Sequence, residues 1–379
     1  MSILSRFRRK NSSPTRASSS PGLIGLDISA NNIHLCQIRA LEHGRYSIIA
    51  KQTIGFSGTR QALLASPGEL KKLIMPALKQ NNFKGLKVVA LMPWDEVKII
   101  LLTYKSGIQD VDSEVLKMLA DRIEGDIEDY VIDYIPVRSN PSDEEHMVVA
   151  TVADKEKVSR LLNALIACGL KVDSLDIAPT ALRRIVSTLY SGKAADNVLM
   201  INTYLDESYL TIISGRRLLL NQAVQFGENM LLERIARELD VSKESARNLV
   251  EQHGLENPLS SRKRSGADTT EDISSILREI LKPCFLKLIE DINRVLIFTA
   301  SETHGEPVSR VCLLGSIANW PGTRRLLLSL LEFDAPDGQI EFAQIFQDEN
   351  DETKIPWAGL FSELSIATGL ALRGLIADE

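Results

Sequence analysis

Residues able to do chemistry are few in this 379-residue chain, and they stand apart from one another. Cys36, Cys168, Cys284 and Cys312 each sit inside an apolar run, with no CxxC pair and no histidine cluster beside them. They read as reduced core residues rather than metal or redox ligands. His34, His43, His146, His253 and His304 are equally dispersed, and none has the HExxH spacing that would hold zinc. No Ser/His/Asp or Cys/His arrangement offers a nucleophile with its base, so no catalytic residue and no protein-held metal is expected. What remains is a polar turn: Asp27 lies near the end of the apolar run GLIGLDI, SANN follows, and IHLCQIR resumes at Ile33. On residue type alone, an aspartate after a strand is ordinary turn chemistry.

The composition, 44% hydrophobic and 25% charged, is that of a globular protein with two or so domains sharing substantial cores. No stretch approaches the roughly 18 to 20 apolar residues of a membrane-spanning helix, and the N-terminus lacks the apolar core of a secretory signal. The body is therefore expected in the cytosol. A net charge of −6 and the lack of an aromatic-plus-basic strip exclude nucleic acid as a partner. Residues 1–20 differ from the rest: Arg6, Arg8, Arg9, Lys10 and Arg16 occur there without a single acid, followed by a Ser/Pro run. This is a basic disordered tail. Ile3, Leu4 and Phe7 among the cations suggest weak contact with anionic lipid, each basic residue contributing about 1 kcal/mol near such a surface. A merely solvated tail is the alternative.

The polar turn is held by strand-like runs at residues 22–28 and 33–39, with a third run at 45–54. GELKKLIMPALKQ then carries Leu70, Leu73, Ile74, Ala77 and Leu78 at helical spacing, and KVVALMP and VKIILLTY read as strands. A small α/β unit follows. Asp112 or Ser113 is expected to cap a helix with Val115, Leu119 and Ile123 inside; YVIDYIPV and HMVVATVA are strands about the polar SNPSDEE turn; and Asp154 opens a helix closed by Gly169. After VDSLDIAPTALRRIV a second cycle begins at Asn197 with VLMINTY, SYLTIISG and RLLLNQAV. Helices over 228–239 and from Ser242 to His253 come next, then the polar loop NPLSSRKRSGADTTED. A long helix over 273–300 should be kinked or broken by Pro283. RVCLLG, a helix over 324–331 and a terminal helix containing SIATGLALRGL complete the chain.

Two cycles of three strands plus helix, each opening on a tight polar turn, suggest duplicated ribonuclease-H-like halves of the actin and Hsp70 type, an α/β fold. The order of local motifs resembles the PilM family of type IV pilus assembly proteins, related to FtsA and GspL. LIGLDISANNIHLCQIR is similar to that family's first phosphate loop, VVALMP to the strand ending the first subdomain, and DSLDIAPTALRRI to the segment re-entering from an inserted subdomain. QFGENMLLERIARELDVSKESARNLVEQHG resembles its Phe-Gly-Gly turn with two helices, and ATGLALRG its terminus. The resemblance spans about residues 22–376. It implies a basic tail at 1–20, a first actin-like half at 21–92 plus 173–195, a small α/β insert at 93–172 and a second half at 196–379.

The resemblance also implies a site for ATP and Mg²⁺, in which two hairpin turns embrace the phosphates and an aspartate holds the metal through water. Asp27, Ser29, Asn31, Asn32, Asn202, Gly315 and Ser316 occupy the matching positions. Several departures make that site degenerate. Ala30 replaces a hydroxyl residue, His34 a lysine, Asn202 an aspartate and Tyr204 a glycine, while Ser316 and Ile317 stand in GSIANWPG where the family has glycines. The implied function is therefore that of a non-catalytic scaffold, cytoplasmic and peripheral at the inner membrane. It would dock the cytoplasmic tail of a PilN-like bitopic membrane protein in a groove beside the insert, with PilO-like, platform and motor components nearby. The alternative is an FtsA-like, filament-forming, ATP-binding protein. It calls for an amphipathic C-terminal helix, whereas this sequence ends in LALRGLIADE.

Overall fold

The computed structural model of the chain describes residues 20–41, 45–137, 144–189, 197–215, 217–255, 269–303, 305–331, 346–348 and 357–376. Nearly all of the basic tail, most of the SNPSDEE turn and the NPLSSRKRSGAD part of the polar loop fall outside them.

The chain opens with β1 (Ile24–Ile28), β2 (Asn32–Ala40) and β3 (Tyr46–Gly55), an antiparallel meander whose apolar residues are buried on both faces. Helices α1 (Arg60–Leu64) and α2 (Pro67–Gln80) lead into β4 (Lys87–Leu91), which returns parallel to β1. The insert follows as β5 (Val97–Lys105), α3 (Val111–Ala120), β6 (Tyr130–Val137), β7 (Glu145–Asp154) and α4 (Lys155–Ala167). Then β8 (Lys171–Asp176) joins β4 in parallel and α5 (Ala178–Leu189) crosses toward the second half. That half repeats the plan with β9 (Asn197–Thr203), β10 (Ser208–Ser214), β11 (Arg217–Val224), α6 (Glu228–Leu239), α7 (Lys243–His253), α8 (Thr269–Glu302), β12 (Val308–Gly315) and α9 (Thr323–Leu330). The short β13 (Phe346–Asp348) adds to β3, and α10 (Trp357–Ala371) ends the fold.

Strand order identifies the duplication. The first sheet runs β13-β3-β2-β1-β4-β8 and the second β11-β10-β9-β12, so each contains a 3-2-1-4 core with the same strand senses. Between the sheets lie α5 and α10: α10 packs on β1, β2, β4 and β12, α5 on β10 and β11, and the two helices on each other. One continuous core therefore joins the halves, from Cys36 and Val89 through Ala181 and Ala367 to Met200 and Leu313. This is the duplicated ribonuclease-H-like architecture anticipated from the two strand cycles.

The insert sheet, in order β5-β7-β6, covers α3 on one face through Leu102, Val148 and Ile132 against Val115 and Leu119. Its other face, with Val137 and Val149, belongs to the core shared by the two halves. Helix α4 packs differently. Leu161, Ala164 and Leu165 lie with Ile24, Leu35, Leu70 and Ile74 in the core of the first half.

Caps fall largely as their residue types dictate: Asp154 accepts from the amides of Glu156 and Lys157, Ser242 from that of Ser245, and Gly169 takes a left-handed φ of 92°. Two expectations need correction. The cap of α3 is Asp110, which accepts from Ser113 N–H, because the helix starts one residue before Asp112. Helix α8 runs unbroken through Pro283. The proline lies on the exposed face, while Leu277, Leu281, Phe285, Leu288, Ile292 and Val295 form a buried stripe on the other side. Packing along that stripe outweighs the one hydrogen bond that proline removes.

Candidate functional site

The two halves present equivalent hairpin turns to each other across a cleft of about 290 Å³. In the first turn, Ser29 N–H donates to Asn32 O at 2.9 Å. The Ser29 hydroxyl donates to the same carbonyl at 3.0 Å, and Asn32 Nδ2 donates to Asn31 Oδ1 at 3.2 Å. In the second, Tyr204 N–H donates to Glu207 O at 3.0 Å. Asp27 and Ser29 line the cleft. Asn31 and Asn32 serve the turn itself, and Gly315 and Ser316 sit beyond the lining at the end of β12. Asn202 is turned toward Tyr204, donating to its hydroxyl oxygen at 2.9 Å.

Aromatic rings close the space where the turns meet. Trp94, just after β4, stacks on Tyr209 with centroids 3.9 Å apart and planes 28° apart. Tyr204 meets Trp94 edge-on at 5.6 Å and Tyr209 at 6.0 Å. The backbone that could greet an anion is also committed. The first amides of α6, those of Glu228 and Asn229, donate to Tyr204 O at 3.0 Å and Leu205 O at 2.7 Å. Gly227 permits this contact, since a Cβ there would lie 2.4 Å from the Asp206 carbonyl carbon. The helix N-terminus thus braces the second turn rather than facing the cleft.

Charge in the cleft is acidic. Asp27, Asp95, Asp206 and Glu207 line it against one guanidinium, Arg60, which pairs with Asp95 and reaches Glu96 at 3.4 Å. Burial drives the Asp27 carboxyl up to about 7, with the Arg60 charge pulling the other way. Burial, with the Asp27 charge adding to it, also holds the Tyr204 phenol well above its ordinary value. His34 lies opposite Asp27 in the β1–β2 pair but outside the cleft lining, with Nδ1 3.1 Å from the Thr53 hydroxyl, and burial lowers it to about 4, so it is a neutral imidazole. Ile317 is fully buried in a short 3₁₀ turn. Positive φ at this loop is taken by its two glycines, Gly315 at 88° and Gly322 at 81°.

Sequence reasoning singled out Tyr204 but missed Trp94, Tyr209, Arg60, Asp206 and Glu207. Tyr204 and Tyr209 flank one hairpin in a chain with only 5% aromatic residues, a pairing visible in the sequence. Trp94 and Arg60 reach the cleft only through tertiary folding.

Residues 25–375 match the family described as type IV pilus assembly protein PilM. The chain belongs to the PilM family. Among curated proteins no sequence matches it. A solved PilM–PilN type IV pilus biogenesis complex contains a similar chain, with 18% identity, a TM-score of 0.72, and coverage of 95% of this chain and 100% of that one. The ethanolamine utilization protein EutJ from Carboxydothermus hydrogenoformans is also similar in fold, at 11% identity and a TM-score of 0.52, covering 96% of this chain and 92% of that one. This PilM-family chain has two hairpin turns and helices between the sheets, and aromatic rings and carboxylates furnish the cleft. Among the described residues, no helix is long and apolar enough to cross a membrane.

Proposed function

We propose that the protein is a non-catalytic scaffold on the cytoplasmic side of a type IV pilus machine, docking an extended, membrane-tethered peptide of the PilN kind against its insert. The carrying observation is β5, one of the two edges of the insert sheet, the other being β6. Strand β5 pairs only with β7 among the described residues, and it presents the half-buried aliphatic run Ile99, Ile100 and Leu101. An open strand edge captures an extended chain by backbone hydrogen bonds. Membership of the PilM family supports the assignment to pilus assembly rather than to an FtsA-like filament.

ATP and Mg²⁺ fit this cleft poorly. A triphosphate would meet three aromatic rings, four carboxylates and a helix N-terminus already hydrogen-bonded. We therefore read nucleotide as dispensable. PilO-like, platform and motor components are indirect neighbours in this reading. The basic tail contributes only electrostatic affinity for anionic lipid, to be read as liposome sedimentation that fades with salt.

Titrating a PilN-type cytoplasmic tail into the full protein tests the docking site. Leu101→Asp places a charge on the proposed edge and is expected to weaken binding at least about tenfold, or 1.4 kcal/mol. Ile166→Asp, at a position 59% exposed on α4, should leave it unchanged. Equal affinity of Leu101→Asp and the unaltered protein would place the peptide elsewhere.

A further inference from the structure

Two hydrogen-bond donors at the interlobe cleft have no partner. Arg60 Nε and Trp94 Nε1 are shielded from solvent and hydrogen-bonded to no described residue, and both side chains belong to residues that line the cavity. Leaving such groups unpaired is costly and calls for an explanation. Their surroundings do not supply one. Arg60 meets Asp95 and Glu96 through Nη2, at 2.6 Å and 3.4 Å, which leaves Nε over. The Tyr204 hydroxyl lies near the indole but outside hydrogen-bond geometry, and it already accepts from Asn202 Nδ2 at 2.9 Å.

Charge and shape narrow what would. Guanidinium and indole N–H groups only donate, so their complement is an acceptor, and a cation satisfies neither. An anion is opposed by Asp95, Asp206 and Glu207 in the lining, since the one guanidinium there is already paired. The acceptor is therefore uncharged. Ile28, Leu91 and Leu205 add an apolar wall to the Trp94–Tyr209 stack, which suits a flat and largely apolar body. The volume of about 290 Å³ lies at the bottom of the usual range for small-molecule sites.

We propose that the interlobe cleft is a receptor for a small uncharged carbonyl compound, an amide or lactam on a flat apolar body, which accepts from Arg60 Nε and Trp94 Nε1. Such a ligand carries neither phosphate nor metal, so this is a different use of the cleft from the nucleotide site that the fold implies. It does not depend on the peptide-docking reading.

The test is a nuclear magnetic resonance titration of the full-length protein carrying isotope-labelled tryptophan, in which the Trp94 indole N–H signal is the one lost in Trp94→Phe. Benzamide is the probe, with benzoate and benzylammonium as charged compounds of similar shape. Benzamide is expected to move the Trp94 signal saturably and to leave the other two tryptophan signals in place. The two ions should bind at least about tenfold more weakly. Trp94→Phe keeps a ring and removes the donor, while Arg60→Lys keeps the charge and removes Nε. Each should weaken benzamide at least about threefold, read from saturation transfer to the ligand. If Arg60→Lys does not fold, Trp94→Phe alone decides. The proposal is overturned if benzamide leaves the Trp94 signal unmoved, if benzoate or benzylammonium binds more tightly, or if Trp94→Phe binds benzamide as well as the parent.

Discussion

Arg184→Met is expected to destabilise the protein by about 3 kcal/mol, the lower end of the cost of breaking a buried ion pair. Asp176, at the end of β8, is almost fully buried and accepts from Arg184 Nη1 at 2.7 Å, Arg373 Nη1 at 2.9 Å and the Ile177 amide at 2.8 Å, with the Thr180 hydroxyl as a further donor. Burial alone would raise this carboxyl, but the two guanidiniums and the hydrogen bonds together hold it below its ordinary value. The cluster ties β8, α5 and the C-terminal segment together where the chain re-enters from the insert. Removing Arg184 leaves a buried charge with only Arg373, whose side chain is 28% exposed, to offset it.

The sign of the pH effect follows from the depressed carboxyl. Its contribution is present above the unfolded value near 3.8 and is lost as pH falls through the lower folded value. The destabilisation by Arg184→Met should therefore be full above the unfolded value and shrink at lower pH, where the parent loses the same contribution. Urea unfolding followed by far-UV circular dichroism measures the main effect. Asp176→Asn/Arg184→Met together should cost less than Arg184→Met alone, because the double variant strands no carboxylate. A loss below about 1 kcal/mol in the single variant would show that the cluster does not hold the halves as described.

Gly25→Ala is expected to cost about 3 kcal/mol, the top of the usual overpacking range. A Cβ at Gly25 would lie 1.9 Å from Ala367 O and 2.8 Å from Ala371 N, both backbone atoms of α10, so no side chain can swing away. Gly369 plays the reciprocal part on α10, where a Cβ would come within 2.3 Å of Ala181 O on α5. These two glycines allow the central helices to pass between the sheets at backbone contact. Gly68→Ala is the comparison: it lies in α2 with nothing within 4 Å, and it should be neutral or stabilising by up to about 1 kcal/mol. Equal melting temperatures for Gly25→Ala and Gly68→Ala would contradict the close packing.

Most of the fold was legible in the residues because its signals are local. Short apolar runs bounded by polar turns marked β1, β2, β9 and β10, capping side chains marked α4 and α7, and the repeated strand-turn-strand cycle disclosed the duplication. Pro283 misled because a local rule was set against a buried stripe about five turns long, which only the tertiary packing of α8 reveals. The cleft was half legible. Tyr204 and Asn202 could be seen to depart from a phosphate loop, but the stack of Trp94 on Tyr209 joins residues 115 positions apart, and no local pattern encodes it. The commitment of the α6 amides to the second turn was likewise invisible, since QFGEN reads equally well as a loop that faces a ligand.

The central claim, that this PilM-family chain works by holding a peptide and needs no nucleotide to do so, rests most directly on one titration. A PilN-type cytoplasmic tail is added to nucleotide-free protein in a calorimeter, and the titration is repeated with saturating MgATP. Saturable one-site binding without nucleotide is predicted, with an affinity that MgATP changes by less than about threefold, a coupling under 1 kcal/mol. Peptide binding that appears only when MgATP is present would contradict it.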